Sequence, residues 1–282
     1  MGLPELLDAI PPEALECTFL KPGRGESFTH GWVHVKTCPF TIVALPVVGR
    51  YEVELGGERA MCEPGEAFLV GANREVAITH HCEGGAGGVM VSRWLHAHWT
   101  LFGSVDFAGL LDLPLRLDAG RTKPLWDLME ELLALPGSGL AAAARRQELA
   151  FRALRLLCEA APARAGALEA LGASERLRPV TAYIRSHLGD RLSVEDLARA
   201  AYLSSSRLHA LFRETLGRAP MAYVRELRLA EARRLLSATE LAVGEIAEAT
   251  GFANQFHFSR AFRRASGMTP SAYRRAHSGW VV

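Results

Sequence analysis

The chain has 282 residues and a formal net charge of +1, with 49% hydrophobic and 22% charged residues, the balance of a globular protein with a sizeable core in one or two domains. No apolar run reaches the roughly eighteen residues of a membrane-spanning helix without a charge or a breaker. Glu5 and Asp8 stand where a signal peptide needs positive charge, and Pro11-Pro12 cuts its apolar run short.

The cysteines Cys17, Cys38, Cys62, Cys82 and Cys158 are odd in number and contain no C-x-x-C pair. That spacing points away from a disulfide framework or zinc ribbon and towards a reducing, cytoplasmic compartment. Charge is unevenly spread. From Ser174 onward there are 17 Arg, no Lys and 10 acidic residues, a net +7 that leaves −6 for the rest of the chain. A basic tail on an acidic body suits a polyanionic partner, although solvated helical faces can also be rich in Arg.

Between about Thr18 and Asp106, short runs rich in Val, Ile, Phe and Trp (Trp32–Val35, Phe40–Leu45, Tyr51–Leu55, Ala67–Val70) alternate with Gly and Pro. Leu55-Gly56-Gly57-Glu58 reads as a hairpin turn, and Glu63-Pro64-Gly65-Glu66 as a turn into the next strand. Such spacing favours a β-barrel or jelly roll over a parallel sheet. After Asp112 the apolar period becomes helical over Leu125–Leu135 and Leu140–Ala160, and Ala161–Gly172 reads as an Ala/Pro/Gly-rich linker. The second of these helices is either a dimer seam or a cover for the barrel. The expected organisation is thus a multi-domain α+β chain: a barrel over 1–112, a helical dimerisation or linker region over 113–172, and an all-α domain over 173–282.

The last region carries repeated helix starts at Ser193, Ser204, Asn254 and Thr269-Pro270, and stops at Gly189, Gly217, Gly251 and Gly267. Two segments within it, roughly fifty residues apart, read alike. Leu197-Ala198, Tyr202-Leu203-Ser204, Leu208 and Phe212-Arg213 are echoed by Ile246-Ala247, Gly251-Phe252, Phe258 and Phe262-Arg263. Each has the grammar of a helix-turn-helix: a small residue for close helix approach, a turn, an apolar plug, then two apolar anchors four apart on one helical face. Gly251 accepts positive φ at its turn and Tyr202 does so less readily. Pro220–Leu236 reads as one amphipathic helix of about 17 residues, roughly 26 Å long, able to hold two recognition helices one DNA turn apart.

The run Gly251-Phe252-Ala253-Asn254-Gln255-Phe256-His257-Phe258-Ser259-Arg260-Ala261-Phe262-Arg263-Arg264, then Gly267-Met268-Thr269-Pro270-Ser271-Ala272-Tyr273-Arg274, resembles the signature of the AraC/XylS family, and Arg228-Leu229-Ala230 to Leu236 resembles its linker helix. The resemblance covers roughly a hundred residues. It implies two helix-turn-helix units on double-stranded DNA, transcriptional control that is often activation, RNA polymerase and a second copy of the chain as partners, and an N-terminal sensing domain.

In the first recognition helix Ser205, Ser206, Arg207, His209, Ala210 and Arg213 point away from the anchors. Family members read bases at the positions of Ser206, His209 and Ala210, while Arg207 and Arg213 suit phosphates. In the second, Asn254, Gln255, His257 and Arg260 face outward. Gln255 suits adenine, Arg260 guanine, and Arg263 and Arg264 the backbone.

Met61 to Asn73, followed by His80-His81, resembles the family's cupin-like sensor. Trp94-Leu95-His96-Ala97-His98 resembles its Trp-x-His-x-Trp run, with His98 replacing the second Trp and Cys38 near the place of a ligand-binding Arg. Strand alternation sends Trp94, His96 and His98 to one face. With Trp32, His34, Lys36, Cys38, His80 and His81 they are the candidates to line a pocket for a small polar effector, a sugar among them. No cofactor is expected. The metal alternative places His34, His96 and His98 around a transition-metal ion. No catalytic triad, phosphate loop or carboxylate pair stands out, so a DNA-binding regulator leads over a cupin-type metalloenzyme and over a regulator whose barrel only dimerises or meets another protein.

Overall fold

The structure, a computed structural model, describes residues 7–8, 10, 14–103 and 105–277. Glu5, Pro11 and Pro12 lie outside them. The described chain forms two compact units, 14–101 with 105–168, and 169–277 with 102–103.

The first, the sheet unit, begins with β1 (Leu15–Ser27), β2 (Trp32–Thr37), β3 (Thr41–Val48), β4 (Arg50–Leu55) and β5 (Glu58–Cys62). It continues with β6 (Ala67–Val70), β7 (Glu75–His81), β8 (Met90–Leu101), β9 (Val105–Asp106) and β10 (Arg116–Leu117). One antiparallel sheet runs β1-β8-β3-β6-β10 with β9 beside β8, and the other runs β2-β7-β4-β5. Their facing sides bury a shared core. Ile42, Phe68, Val70 and Met90 from the first sheet meet Tyr51, Val53, Cys62, Val76 and Ile78 from the second. Gly56 and Gly57, both at positive φ, close the β4–β5 hairpin, where a two-residue turn matching the strand twist requires that conformation.

Two helices cover the outer side of β1 and β8: α1 (Ala119–Ala134) and α2 (Leu140–Ala160). The apolar period places the start of α1 at Leu125, but it begins six residues earlier. Asp118 caps it by accepting a hydrogen bond from the Arg121 backbone at 3.0 Å, a polar signal that an apolar count does not register. On α2, Leu149, Ala150, Ala153, Leu154 and Leu157 are buried. The Trp99 indole donates to the Ala150 carbonyl at 3.1 Å, so this helix covers the sheet. Leu95, Ala97 and Trp99 share the helix-facing side of β8, and Trp94, His96 and His98 take the other side.

The second, the helical unit, begins within α3 (Ala167–Glu175) and contains α4 (Arg178–Ser186), α5 (Val194–Ala200), α6 (Ser205–Leu216), α7 (Pro220–Ala238), α8 (Val243–Ala249), α9 (Gln255–Ser266) and α10 (Pro270–His277). The expected linker over Ala161–Gly172 therefore carries most of α3. Ala167 and Leu171, one helical turn apart, are both buried, and their burial outweighs the flanking Pro and Gly. Gly189 is no helix stop either, because α4 ends at Ser186 with His187 as its cap. The Ser193, Ser204, Asn254 and Thr269 side chains each accept a backbone N–H of the following first turn, at 3.2, 3.2, 2.8 and 3.3 Å.

The unit has two apolar cores. Leu177, Val180, Ile184, Leu197, Leu208, Leu211 and Phe212 build one with Tyr223 and Val224 of α7. Ile246, Ala247, Phe252, Phe258 and Phe262 build the other with Leu229, Ala232 and Leu236 of α7. At about 100° per residue these two sets lie roughly 160° apart around α7. The expected single amphipathic face is thus two faces, one for each core.

Candidate functional site

The paired helices α5/α6 and α8/α9 turn in the same way. The Leu203 backbone N–H donates to the Ala198 carbonyl at 2.9 Å, and Phe252 donates to Ala247 at 2.9 Å. Ala198 and Ala247 are buried where the helices approach. Tyr202 and Gly251 hold the left-handed position, at φ +54° and +71°. The two turns differ in surroundings. A Cβ on Gly251 would lie 2.6 Å from the Arg228 guanidinium and 2.7 Å from the Leu188 carbonyl, whereas the Tyr202 side chain is 95% exposed.

Both turns aim a helix outward. On α6, Leu208, Leu211 and Phe212 are buried, Ser206, Arg207, Arg213 and Glu214 are exposed, and Ser205, His209 and Ala210 are half-buried. On α9, Phe258 and Phe262 are buried, while Gln255, Phe256, His257, Arg260, Arg263 and Arg264 are exposed. Asn254 is committed to capping α9 through its side-chain oxygen, so it is first a helix cap, with only its amide NH2 left to face outward. Matched position by position, α9 has Arg260 and Arg264 where α6 has Ala210 and Glu214. The basic, outward surface therefore sits mainly on the second helix.

Two residues of this surface escape the sequence reading. Phe256, 87% exposed, sits between Gln255 and Arg260 on the outward stripe, but its aromatic identity reads as core. Arg225 of α7 lines a groove with Glu226, His257, Arg260 and Arg264, and only the fold brings it beside α9.

In the sheet unit, the candidate pocket residues form two ring clusters between the sheets. Trp32, His34, His80 and Tyr51 make one, with ring centres 4.7 Å (Trp32–His34), 5.1 Å (His34–His80) and 5.0 Å (Tyr51–His80) apart. His96 makes the other, stacked between Trp94 at 4.4 Å and Phe40 at 4.6 Å. Trp94 lies flat across β1 because the facing residue is Gly23, where a Cβ would fall 2.0 Å from its ring. The Lys36 charge acts on His34, His80 and His96 alike, and it also acts on Cys38. Burial lowers the pKa of Lys36. Among the described residues, the buried His34 Nδ1 and His80 Nε2 have no hydrogen-bond partner.

Two candidates fall outside these clusters. His81 alternates to the opposite face of β7, where its Nε2 lies 3.0 Å from Glu52. His98 is held by Thr18 Oγ1 at 3.0 Å and faces Asp106 at 3.7 Å. Among the described residues no group of three or more His, Cys, Asp or Glu side chains is placed to hold a metal. His34, His96 and His98 do not form a ligand set, because His96 is enclosed by rings and His98 is tied to the β1 edge.

Burial, reinforced by Lys36, holds the His80 imidazole down at about 4 and that of His96 at about 3, against an ordinary 6.5. At these two sites the unfolded chain binds more protons than the folded one below pH 6.5, which outweighs the opposite pull of the buried Asp106 carboxyl, raised to about 6, so stability rises with pH across that window. The sheet unit is expected to lose stability as pH falls from about 6.5 towards 4, and His80→Gln to flatten the loss. Urea unfolding across this range checks it; a native protein equally stable throughout contradicts the buried, neutral histidines.

A family model described as a helix-turn-helix domain matches residues 197–276. The chain is 27% identical over 254 residues to the arabinose operon regulatory protein of Salmonella typhimurium, covering 83% of each chain. It is 38% identical over 91 residues to the probable transcriptional regulator LumQ of Photobacterium leiognathi, a match spanning 32% of this chain and 37% of LumQ. Among solved structures, apo ToxT from Vibrio cholerae superposes with a TM-score of 0.51 at 10% identity, over 92% of this chain and 98% of that one, a likeness of fold. Residues 197–276 thus form a helix-turn-helix domain similar to that of AraC-type DNA-binding transcription regulators.

Proposed function

We propose that the chain is a sequence-specific transcription regulator, an activator, whose α6 and α9 enter successive major grooves of double-stranded DNA and whose sheet unit binds a small polar effector. The observation that carries this reading is the outward stripe of α9. Gln255, Phe256, Arg260 and Arg263 stand clear of solvent-excluding neighbours, on a helix seated by Phe258 and Phe262. Gln255 fits the N6/N7 edge of adenine, Arg260 the O6/N7 edge of guanine and Phe256 a thymine methyl. Arg207, Arg213, Arg263 and Arg264 serve phosphates, and Ser205, Ser206, His209 and His257 complete the surface. The first helix, lacking a cationic match for Arg260, acts mainly as a clamp.

The sheet unit fits a cupin-like sensor. Aromatic walls from Trp32 and Trp94, the orphaned His34 and His80 nitrogens and the Lys36 ammonium suit a hydroxyl-rich molecule. The Salmonella relative is an arabinose operon regulatory protein, and a sugar is the first effector class to test. Residues 1–112 carry this sensor, 113–172 the helices that cover its sheet and present their outer side to a second copy, and 173–282 the DNA-binding region. RNA polymerase is the further partner and the cytoplasm the site of action.

Arg260→Ala is expected to cost about 1–3 kcal/mol of binding to a duplex selected from a random-sequence pool and to relax preference at one base pair. Fluorescence anisotropy on that duplex and its single-base variants reads both. A loss equal on every variant would assign Arg260 to phosphate.

A further inference from the structure

Arg228 sits on α7 at the junction between the two apolar cores, and its guanidinium spends its donors on backbone. Nε donates to the Leu188 carbonyl at 3.0 Å, Nη2 to Asp190 at 2.6 Å and Nη1 to Gly251 at 2.7 Å. Leu188 and Asp190 lie in the loop before α5, and Leu188 packs against the first core. Gly251 is the turn of the second helix pair, and the next residue, Phe252, is anchored in the second core. One planar fork therefore ties the entry to the first pair to the turn of the second. The loops also meet directly, since a Cβ on Gly189 would lie 3.0 Å from the Ala249 carbonyl.

We propose that Arg228 is a positioning residue that fixes the rotation of α8/α9 relative to α5/α6, and so sets the base-pair spacing at which the two recognition helices read DNA. This rests on the reading that both α6 and α9 enter DNA. The chemistry supports a hinge lock. The two cores are separate clusters on opposite faces of α7, and the Arg228 hydrogen bonds add a direct polar tie between the loops of the two helix pairs. Three hydrogen bonds from a rigid plane define an orientation, which one bond from a flexible ammonium does not.

The test uses the full chain and a duplex selected from a random-sequence pool, together with versions carrying one base pair more or less between the two protected patches. Each added base pair turns the second site by about 35° and moves it about 3.4 Å, so the native protein is expected to lose about tenfold or more in affinity on each altered spacer. Arg228→Gln is expected to select the same two base motifs but lose less than about threefold on the altered spacers. Arg228→Lys keeps the charge without the fork and is expected to behave like Arg228→Gln; it also serves if the glutamine variant fails to fold. Either variant with native motifs and the native spacing penalty overturns the proposal. A native protein that selects DNA with a single motif overturns the two-site reading itself, and the positioning role with it.

Discussion

Gly251→Val is expected to destabilise the helical unit by about 2–4 kcal/mol, among the larger costs a single surface-turn substitution incurs. Two independent strains add. A β-branched residue at φ +71° is held in a conformation its own Cβ opposes. The same Cβ meets the Arg228 guanidinium at 2.6 Å and the Leu188 carbonyl at 2.7 Å; neither can retreat without breaking the junction. The reverse change in the first turn, Tyr202→Gly, is expected to be neutral or to stabilise by up to about 1 kcal/mol, because it relieves a φ of +54° at an exposed side chain. Urea unfolding of both variants measures the contrast. A Tyr202→Gly cost as large as that of Gly251→Val would contradict strain at φ +54° in the first turn.

Phe262→Ala is expected to cost about 3–5 kcal/mol. The ring is fully buried, 5.5 Å from Phe258 and 5.3 Å from Tyr273, and it holds the inner face of the helix whose outer face carries Arg260. The second core is small, and losing one of its three phenylalanines leaves α9 without a seat. Because the first core is built from Phe212 and its neighbours on the other face of α7, the variant is expected to unfold in two steps. Calorimetry would show a low-temperature transition absent from the native trace. One cooperative transition shifted as a whole would mean that the two cores are a single folding unit.

Much of the helical unit was legible because its signals are local. Ser193, Ser204, Asn254 and Thr269 cap where their residue type and spacing predict, and each apolar pair four apart faces inward. The sequence could not show that α7 serves two cores, since a helix with apolar residues on opposite faces shows a blurred period rather than two faces. Nor could it show what Gly251 must accommodate, because Arg228 and Leu188 reach it from far along the chain. In the sheet unit, alternation alone separates inward His80 from outward His81 once the strand is known. The adjacent pair His80-His81 invites grouping both, and pleating forbids it. Gly23 sits within β1 to make room for Trp94, and at Gly25 a Cβ would meet the Ser92 hydroxyl at 2.8 Å, close approaches that no local pattern encodes. The partnership of Tyr51 with His80 depends on strand pairing that no local pattern encodes.

Hydroxyl-radical footprinting of the full chain on a selected duplex tests most directly whether one chain grips DNA with two helices. Two protected patches are expected on one side of the duplex, about one helical turn or 10–10.5 base pairs apart, with the patch under α9 weakened by Arg260→Ala and the other unchanged. A single protected patch, or protection that weakens uniformly in that variant, would contradict the two-helix grip.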